Sequence, residues 1–311
     1  MPTFTLPNEI TYFYQDSGAP SEKQDYTTFF IVHGHTYHSA LFKPLAFNWI
    51  STREYPGSTP YSPEELEVFA VGPDEARLKQ LMKDGTDLAL LLDGLIVSLS
   101  LPQTGGIAIV GWSMGNIFTL PLLASITDLP VETRVRLGSH VKRTIIWDPP
   151  CQTMGIAGPQ FYTPYYDQAL PAEIRPIEFA KWLTFYFFHG DLSKRRLEDL
   201  NQRYHDVHRK YTFQGLPLEE LFEMIEIAPG AKRCSMALCA KPGGNMKIWY
   251  MVGDRNPWNI IYCWWTMEDE VKAAQTSEPA INFTVNEGSN HFFMWDDPEG
   301  CMDKLELCCR S

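Results

Sequence analysis

Apolar positions follow two rhythms along this chain. Across residues 74–99, Leu78, Leu81, Met82, Leu88, Leu91, Leu92, Leu95 and Ile96 recur three and four residues apart, which predicts one long helix with a broad buried face. Short β-prone runs at residues 9–15, 27–32, 106–110, 141–147, 247–252 and 281–285, with a weaker one at 47–52, read as strands. Gly, Pro, Asn and Asp clusters punctuate them. Residues 116–124 and 298–307 read as further helices. Strands alternating with helices predict an α/β protein: a mostly parallel central sheet with helices on both faces.

One stretch breaks the alternation. Residues 151–244 mix short helical patterns with prolines and many aromatics, among them Phe161, Tyr162, Phe179, Trp182 and Phe187. Inserted between two core strands, such a segment reads as a helical cap. The expected division is a core of residues 1–150 and 245–311 with a cap of residues 151–244. The insertion's aromatics are expected mainly to pack, with a minority facing a ligand.

The chemistry concentrates in Gly111-Trp112-Ser113-Met114-Gly115. A serine between two glycines, after a strand and before a helix, meets the demands of a nucleophile elbow. The turn is tight, its flanking residues must be small, and the serine backbone is strained. Its hydroxyl then stands above the sheet edge, at a helix N-terminus where N–H groups can hold an oxyanion. A serine hydroxyl needs a base, and the base needs a carboxylate partner. His291, in Gly288-Ser289-Asn290-His291-Phe292 shortly after the last predicted strand, is the candidate base.

With these residues in view the chain resembles the α/β-hydrolase superfamily, in its serine-nucleophile branch. The resemblance runs from His33-Gly34 through Tyr55-Pro56-Gly57-Ser58 and the elbow to His291 and Asp297-Pro298-Glu299. It is strongest to fungal hydrolases carrying blocks of the type REYPGSTPYSPEEL and GWSMGN. It implies an oxyanion hole from the backbone N–H groups of Met114 and His35. Gly34 and Trp112, beside these, are the expected substrate contacts. The family's usual acid position, three residues past a glycine after the penultimate strand, holds the neutral Asn256 here. Two acids remain open: Asp148, after the strand that follows the elbow helix, and Asp254 as the alternative. One of them is expected at roughly 2.6–3.2 Å from His291 Nδ1. The family's helix and strand between Leu41 and Arg53 have little room here, so that helix is expected shortened or lost.

The expected function is a serine hydrolase that cleaves an ester, thioester or lactone of a small to medium apolar substrate through an acyl-enzyme on Ser113. The same residues could serve acyl transfer, cyclisation, C–C cleavage or a lyase reaction on a secondary metabolite. A non-catalytic binding protein on this fold is the third reading. No cofactor is expected.

Composition narrows the partners. The 311 residues are 44% hydrophobic and 21% charged, ordinary for a soluble globular protein. A net charge of −12 argues against nucleic acid and anionic membranes as partners. A small-molecule substrate and a homodimer are compatible with it. No secretory signal and no transmembrane segment are expected. Seven cysteines, an odd number at irregular spacing, point to free thiols in a reducing, cytoplasmic setting. Cys234-x4-Cys239 lacks the second pair a zinc site needs, and His33-x-His35-x2-His38 lacks a nearby carboxylate or cysteine, so no metal is expected. His205-x2-His208 is expected on a solvated helix surface, and Cys308-Cys309-Arg310-Ser311 as an exposed tail rather than a prenylation site.

Overall fold

The computed structural model describes residues 2–20, 25–45, 49–203, 206–222, 224–226, 246–274 and 281–310. In chain order the strands are β1 (Thr3–Thr5), β2 (Thr11–Gln15), β3 (Thr28–Val32), β4 (Thr36–Tyr37), β5 (Trp49–Ile50), β6 (Ile107–Trp112), β7 (Val141–Trp147), β8 (Ile225–Glu226), β9 (Lys247–Gly253) and β10 (Ile281–Asn286). The helices are α1 (Pro63–Val71), α2 (Asp74–Ser98), α3 (Asn116–Ser125), α4 (Val131–His140), α5 (Arg175–Leu183), α6 (Leu218–Phe222), α7 (Trp258–Ala274), α8 (Phe293–Asp296) and α9 (Pro298–Arg310).

The sheet runs in the order β1-β2-β5-β3-β6-β7-β9-β10. β2 is antiparallel to β1 and β5, and every later pairing is parallel. Side chains alternate across it with the period of two that a pleated strand imposes. Phe29, Ile31, Val110, Trp112, Ile145 and Trp147 enter one core, closed by the 3-10 turn Ser39–Leu45, by α9 and by part of α7. Phe30, Val32, Ile107 and Ile109 enter the core on the opposite face, beneath α2 and α3. The central strands are buried on both faces, which is why they read as continuous apolar runs.

The helical periodicity over residues 74–99 corresponds to α2. Its Gly85 lies against α3, where a Cβ would come within 2.5 Å of Pro121 Cβ and 2.7 Å of the Leu122 nitrogen. Two helices thus approach more closely than any side chain permits. The family helix that the spacing left no room for is replaced by the 3-10 turn with Pro44 inside it. Residues 46–48 of the weak strand lie outside the described residues. α1 begins at a capping box: Ser62 Oγ accepts from the Glu65 N–H at 3.2 Å, and Glu65 Oε2 accepts from the Ser62 N–H at 2.9 Å.

Among its described residues the insertion after β7 carries two short helices, α5 and α6, among 3-10 turns and loops, and its buried Trp182 and Phe187 pack into the core of the sheet. They share a cluster with Trp112 and Trp147. β8 pairs antiparallel with β4, and the Tyr37 hydroxyl donates to Ala180 O at 3.0 Å. His208 is exposed in a turn rather than on a helix, and His205 lies outside the described residues, as do Cys234 and Cys239. The chain end is not an exposed tail. α9 is amphipathic and buries Cys301, Leu305, Cys308 and Cys309 against the sheet. The five described cysteines are free thiols. No described helix is long and apolar enough to cross a membrane.

Two glycine substitutions separate packing from propensity. Gly85→Ala is expected to destabilise by about 1–3 kcal/mol through overpacking against α3. Gly138→Ala, on the open face of α4 with no atom within 4 Å of the new methyl, is expected to stabilise by about 0.5–1 kcal/mol. Urea unfolding of both variants checks the opposite signs.

Candidate active site

Ser113 follows β6 and carries φ +55°, the strained backbone of an elbow. Both flanking glycines are sterically required. A Cβ at Gly111 would sit 2.5 Å from Asn116 Oδ1 and from Thr119 Oγ1, and one at Gly115 would meet the Val32 carbonyl and lie 2.7 Å from His33 O. The turn is braced by Asn116, fully buried, whose Nδ2 donates to Gly111 O at 2.7 Å, Ser113 O at 3.0 Å and Trp147 O at 3.4 Å. Met114 lies in the 3-10 turn Ser113–Gly115 that leads into α3, and the Asn116 N–H closes that turn onto Ser113 O.

The loop after β3 lies directly over the serine. A Cβ on Gly34 would be 2.8 Å from Ser113 Cβ and 3.2 Å from its Oγ. His33 orders this loop. Its Nε2 accepts from the Thr52 N–H at 3.2 Å, so Nδ1 carries the proton and donates to Gly34 O at 2.8 Å. The Tyr55 hydroxyl donates to the same oxygen at 3.4 Å, and its ring meets His33 edge-on at 4.3 Å. In a trans peptide the C=O and the following N–H point oppositely. Anchoring Gly34 O therefore turns the His35 N–H away from His33 and Tyr55. The REYPGSTPYSPEEL block holds those anchors. Buried Arg53 donates to both Glu65 oxygens at 2.7 and 3.0 Å and to Pro60 O at 2.8 Å, and lies over the Tyr61 ring at 4.1 Å.

His291, 1% exposed, reaches the same sheet edge from the loop after β10. Its Nδ1 lies 3.4 Å from Asp148 Oδ2. That is outside the 2.6–3.2 Å expected, so the two atoms stand close without a formed hydrogen bond. Among the described residues neither atom has a hydrogen-bond partner, so two buried polar atoms face each other across a short gap. Such contacts are often long without substrate. Among the described residues no hydrogen bond joins the Ser113 hydroxyl to His291. What couples the two loops is Trp112. Its ring stacks near His291 at 4.7 Å between centroids, and its indole N–H donates to His291 O at 3.1 Å. Expected as a substrate contact, Trp112 is 1% exposed and spent on holding His291.

Asp148 ends β7 with φ +47° and no exposure. Burial pushes its carboxyl up; His291, the Gly253 N–H and Asn256 pull it down. Gly253 N–H and Asn256 Nδ2 both donate to Oδ1, at 3.0 and 2.8 Å. Asp254, the alternative acid, is turned elsewhere: its Oδ1 accepts from the Gly288 N–H at 2.7 Å and lies 3.8 Å from Arg255 Nε.

Composition and spacing gave no hint of His189. It comes from the insertion, accepts from the Asn201 N–H at Nδ1 (3.0 Å) and donates from Nε2 to Asn256 O at 2.8 Å. Burial pushes it down to about 4, with Arg255 adding to the fall and the Asn256 carbonyl opposing it. Among the described residues no group of three His, Cys, Asp or Glu side chains is placed to hold a metal ion.

No family model and no curated protein sequence matches the chain. Solved structures do. The esterase RhEst1 from Rhodococcus sp. is 12% identical over 100% of this chain and 98% of its own, with a TM-score of 0.54. The carboxylesterase CesB of Bacillus subtilis is 15% identical over 99% and 91%, with a TM-score of 0.50. The chain has the α/β-hydrolase fold. A third structure, of AqDC, which recognises and ring-cleaves the Pseudomonas quinolone signal, is 12% identical over 100% of both chains, with a TM-score of 0.52.

The buried neutral His189 makes stability pH-dependent. An unfolded histidine takes up its proton near pH 6.5 and the folded one only near about 4. Between these values the unfolded chain binds more protons, so stability rises with pH and the contribution is complete above about 6.5. The full shift corresponds to about 3 kcal/mol. His189→Gln is expected to flatten the wild-type difference between pH 7 and 4.5, measured by urea unfolding at both pH values.

Proposed function

We propose that the protein is a serine hydrolase that cleaves an ester, thioester or lactone of a small to medium apolar substrate. The observation that carries the reading is the meeting of three chain regions at one sheet edge: Ser113 on a strained turn, Asp148 at the end of β7, and His291 facing that carboxylate. In this reading Ser113 attacks the carbonyl and His291 Nε2 accepts the proton of its hydroxyl. Asp148 holds the Nδ1 tautomer and offsets the imidazolium charge. The N–H of Met114 and that of His35 receive the developing oxyanion, each such donor contributing about 3–4 kcal/mol to catalysis. His291 then protonates the leaving group and activates water for deacylation. The two neighbours named as esterases share this scaffold, which agrees with the reading without fixing the substrate.

A fluorophosphonate probe is expected to label Ser113 in the wild type and not in Ser113→Ala. Asp148→Asn is expected to lower kcat on p-nitrophenyl esters by roughly 10³–10⁴-fold, whereas Asp254→Asn leaves it within a few-fold. Absence of both labelling and turnover in a folded wild type would sink the hydrolase reading. Loss at Asp254 instead would move the acid.

A further inference from the structure

Asn256 stands where the family resemblance expects an acid, yet it is neither a solvated relic nor a spare. It has no exposure. Its Nδ2 donates to Asp148 Oδ1 at 2.8 Å and to Gly253 O at 2.9 Å. Both partners are acceptors, so the amide orientation is fixed: turned over, it would set oxygen against oxygen. With the Gly253 N–H it loads one carboxylate oxygen of Asp148 and leaves the other to face His291. The loop that carries Asn256 is itself tied down. The Arg255 N–H donates to Ser289 O at 2.9 Å, two residues from His291. From the insertion, the Phe187 N–H donates to Arg255 O at 3.0 Å and His189 Nε2 to Asn256 O at 2.8 Å.

Resting on the hydrolase reading above, we infer that Asn256 is a positioning residue: its amide holds Asp148 Oδ1 and so aims the free oxygen at His291. The position requires a neutral donor. A carboxyl there would lie against Asp148, and two carboxyls at that separation cannot both ionise. The relocation of the acid to Asp148 and the amide at 256 are then one arrangement, each residue demanding the other. Besides His291, the described Tyr250 and Cys301 interact with Asp148. Burial pushes both far up, so they stay uncharged.

The test uses Asn256→Leu, which removes the donor while filling the space, and Asn256→Asp, which keeps the shape. The carboxyl carbon of Asp148, assigned by comparison with Asp148→Asn, is titrated by NMR in each protein. Thermal unfolding establishes that each is folded. In Asn256→Leu, Asp148 is expected to titrate at higher pH than in the wild type. Its kcat should fall roughly 10–100-fold with KM nearly unchanged, the loss of one hydrogen bond to a charged group. In Asn256→Asp an additional ionisation above the ordinary carboxylate range is expected, as two carboxyls share a proton. A folded Asn256→Leu with unchanged Asp148 titration and kcat overturns the inference. If that variant does not fold, absence of the extra ionisation in Asn256→Asp overturns it. A wild type that neither labels at Ser113 nor turns over ester defeats the hydrolase reading alone, because the NMR titration still decides what Asn256 does to Asp148.

Discussion

A carboxylate sealed from water at the end of β7 sets the terms for everything around it. Asp148 has no exposure, and burial by itself would favour its neutral form. Charge survives in such a place only through donors. Two come from the end of β9 and the turn after it, the Gly253 N–H and the Asn256 amide, and the remaining oxygen is left to an imidazole from beyond β10. Three parallel neighbours in the sheet therefore converge on one side chain. The register that sets Trp147 beside Met251 carries this through to the next residue, where the Asp148 N–H donates to Met251 O at 2.9 Å.

The opposite flank of the site depends on close packing rather than charge. Gly34, Gly111 and Gly115 all lie where a Cβ would strike the neighbouring turn. Without side chains the loop after β3 settles directly onto the serine, and its peptide is rotated by the hold of His33 and Tyr55 on Gly34 O. The long REYPGSTPYSPEEL block now has a physical reading. It is a buried knot of Arg53, Glu65 and Tyr61 that fixes Thr52 and Tyr55, and these fix His33.

The insertion belongs to both flanks. Through β8 it pairs with β4, beginning at Thr36, a β-branched residue at φ +75° directly after His35. Such a backbone is uncommon for threonine and persists only where its surroundings hold it. Through Phe187 and His189 the insertion grips the Asn256 loop. Through Tyr186 and Thr212, which both hydrogen-bond Asp296, it reaches the segment after His291. Its aromatics are largely structural: Trp182 and Phe187 join the core beneath the site.

The sequence by itself determined the scaffold and the place of the strained turn at Ser113, because those are written in short-range patterns. Strand runs, the 74–99 periodicity and the glycine spacing around Ser113 all state local backbone demands. His291 and Asp148 could be nominated because each follows a recognisable strand. α1 went unread, although Ser62 and Glu65 spell the capping box that opens it. Only the tertiary structure showed which of Asp148 and Asp254 faces His291, for that rests on which way a turn rotates two nearby carboxylates. It alone gave Asn256, Asn116 and His189 their work, since their partners lie in other loops or are backbone carbonyls that no residue pattern marks. The burial of Trp112 and of the chain's last helix was decided there too: an apolar residue's letter states its preference for shelter but not which neighbour supplies it.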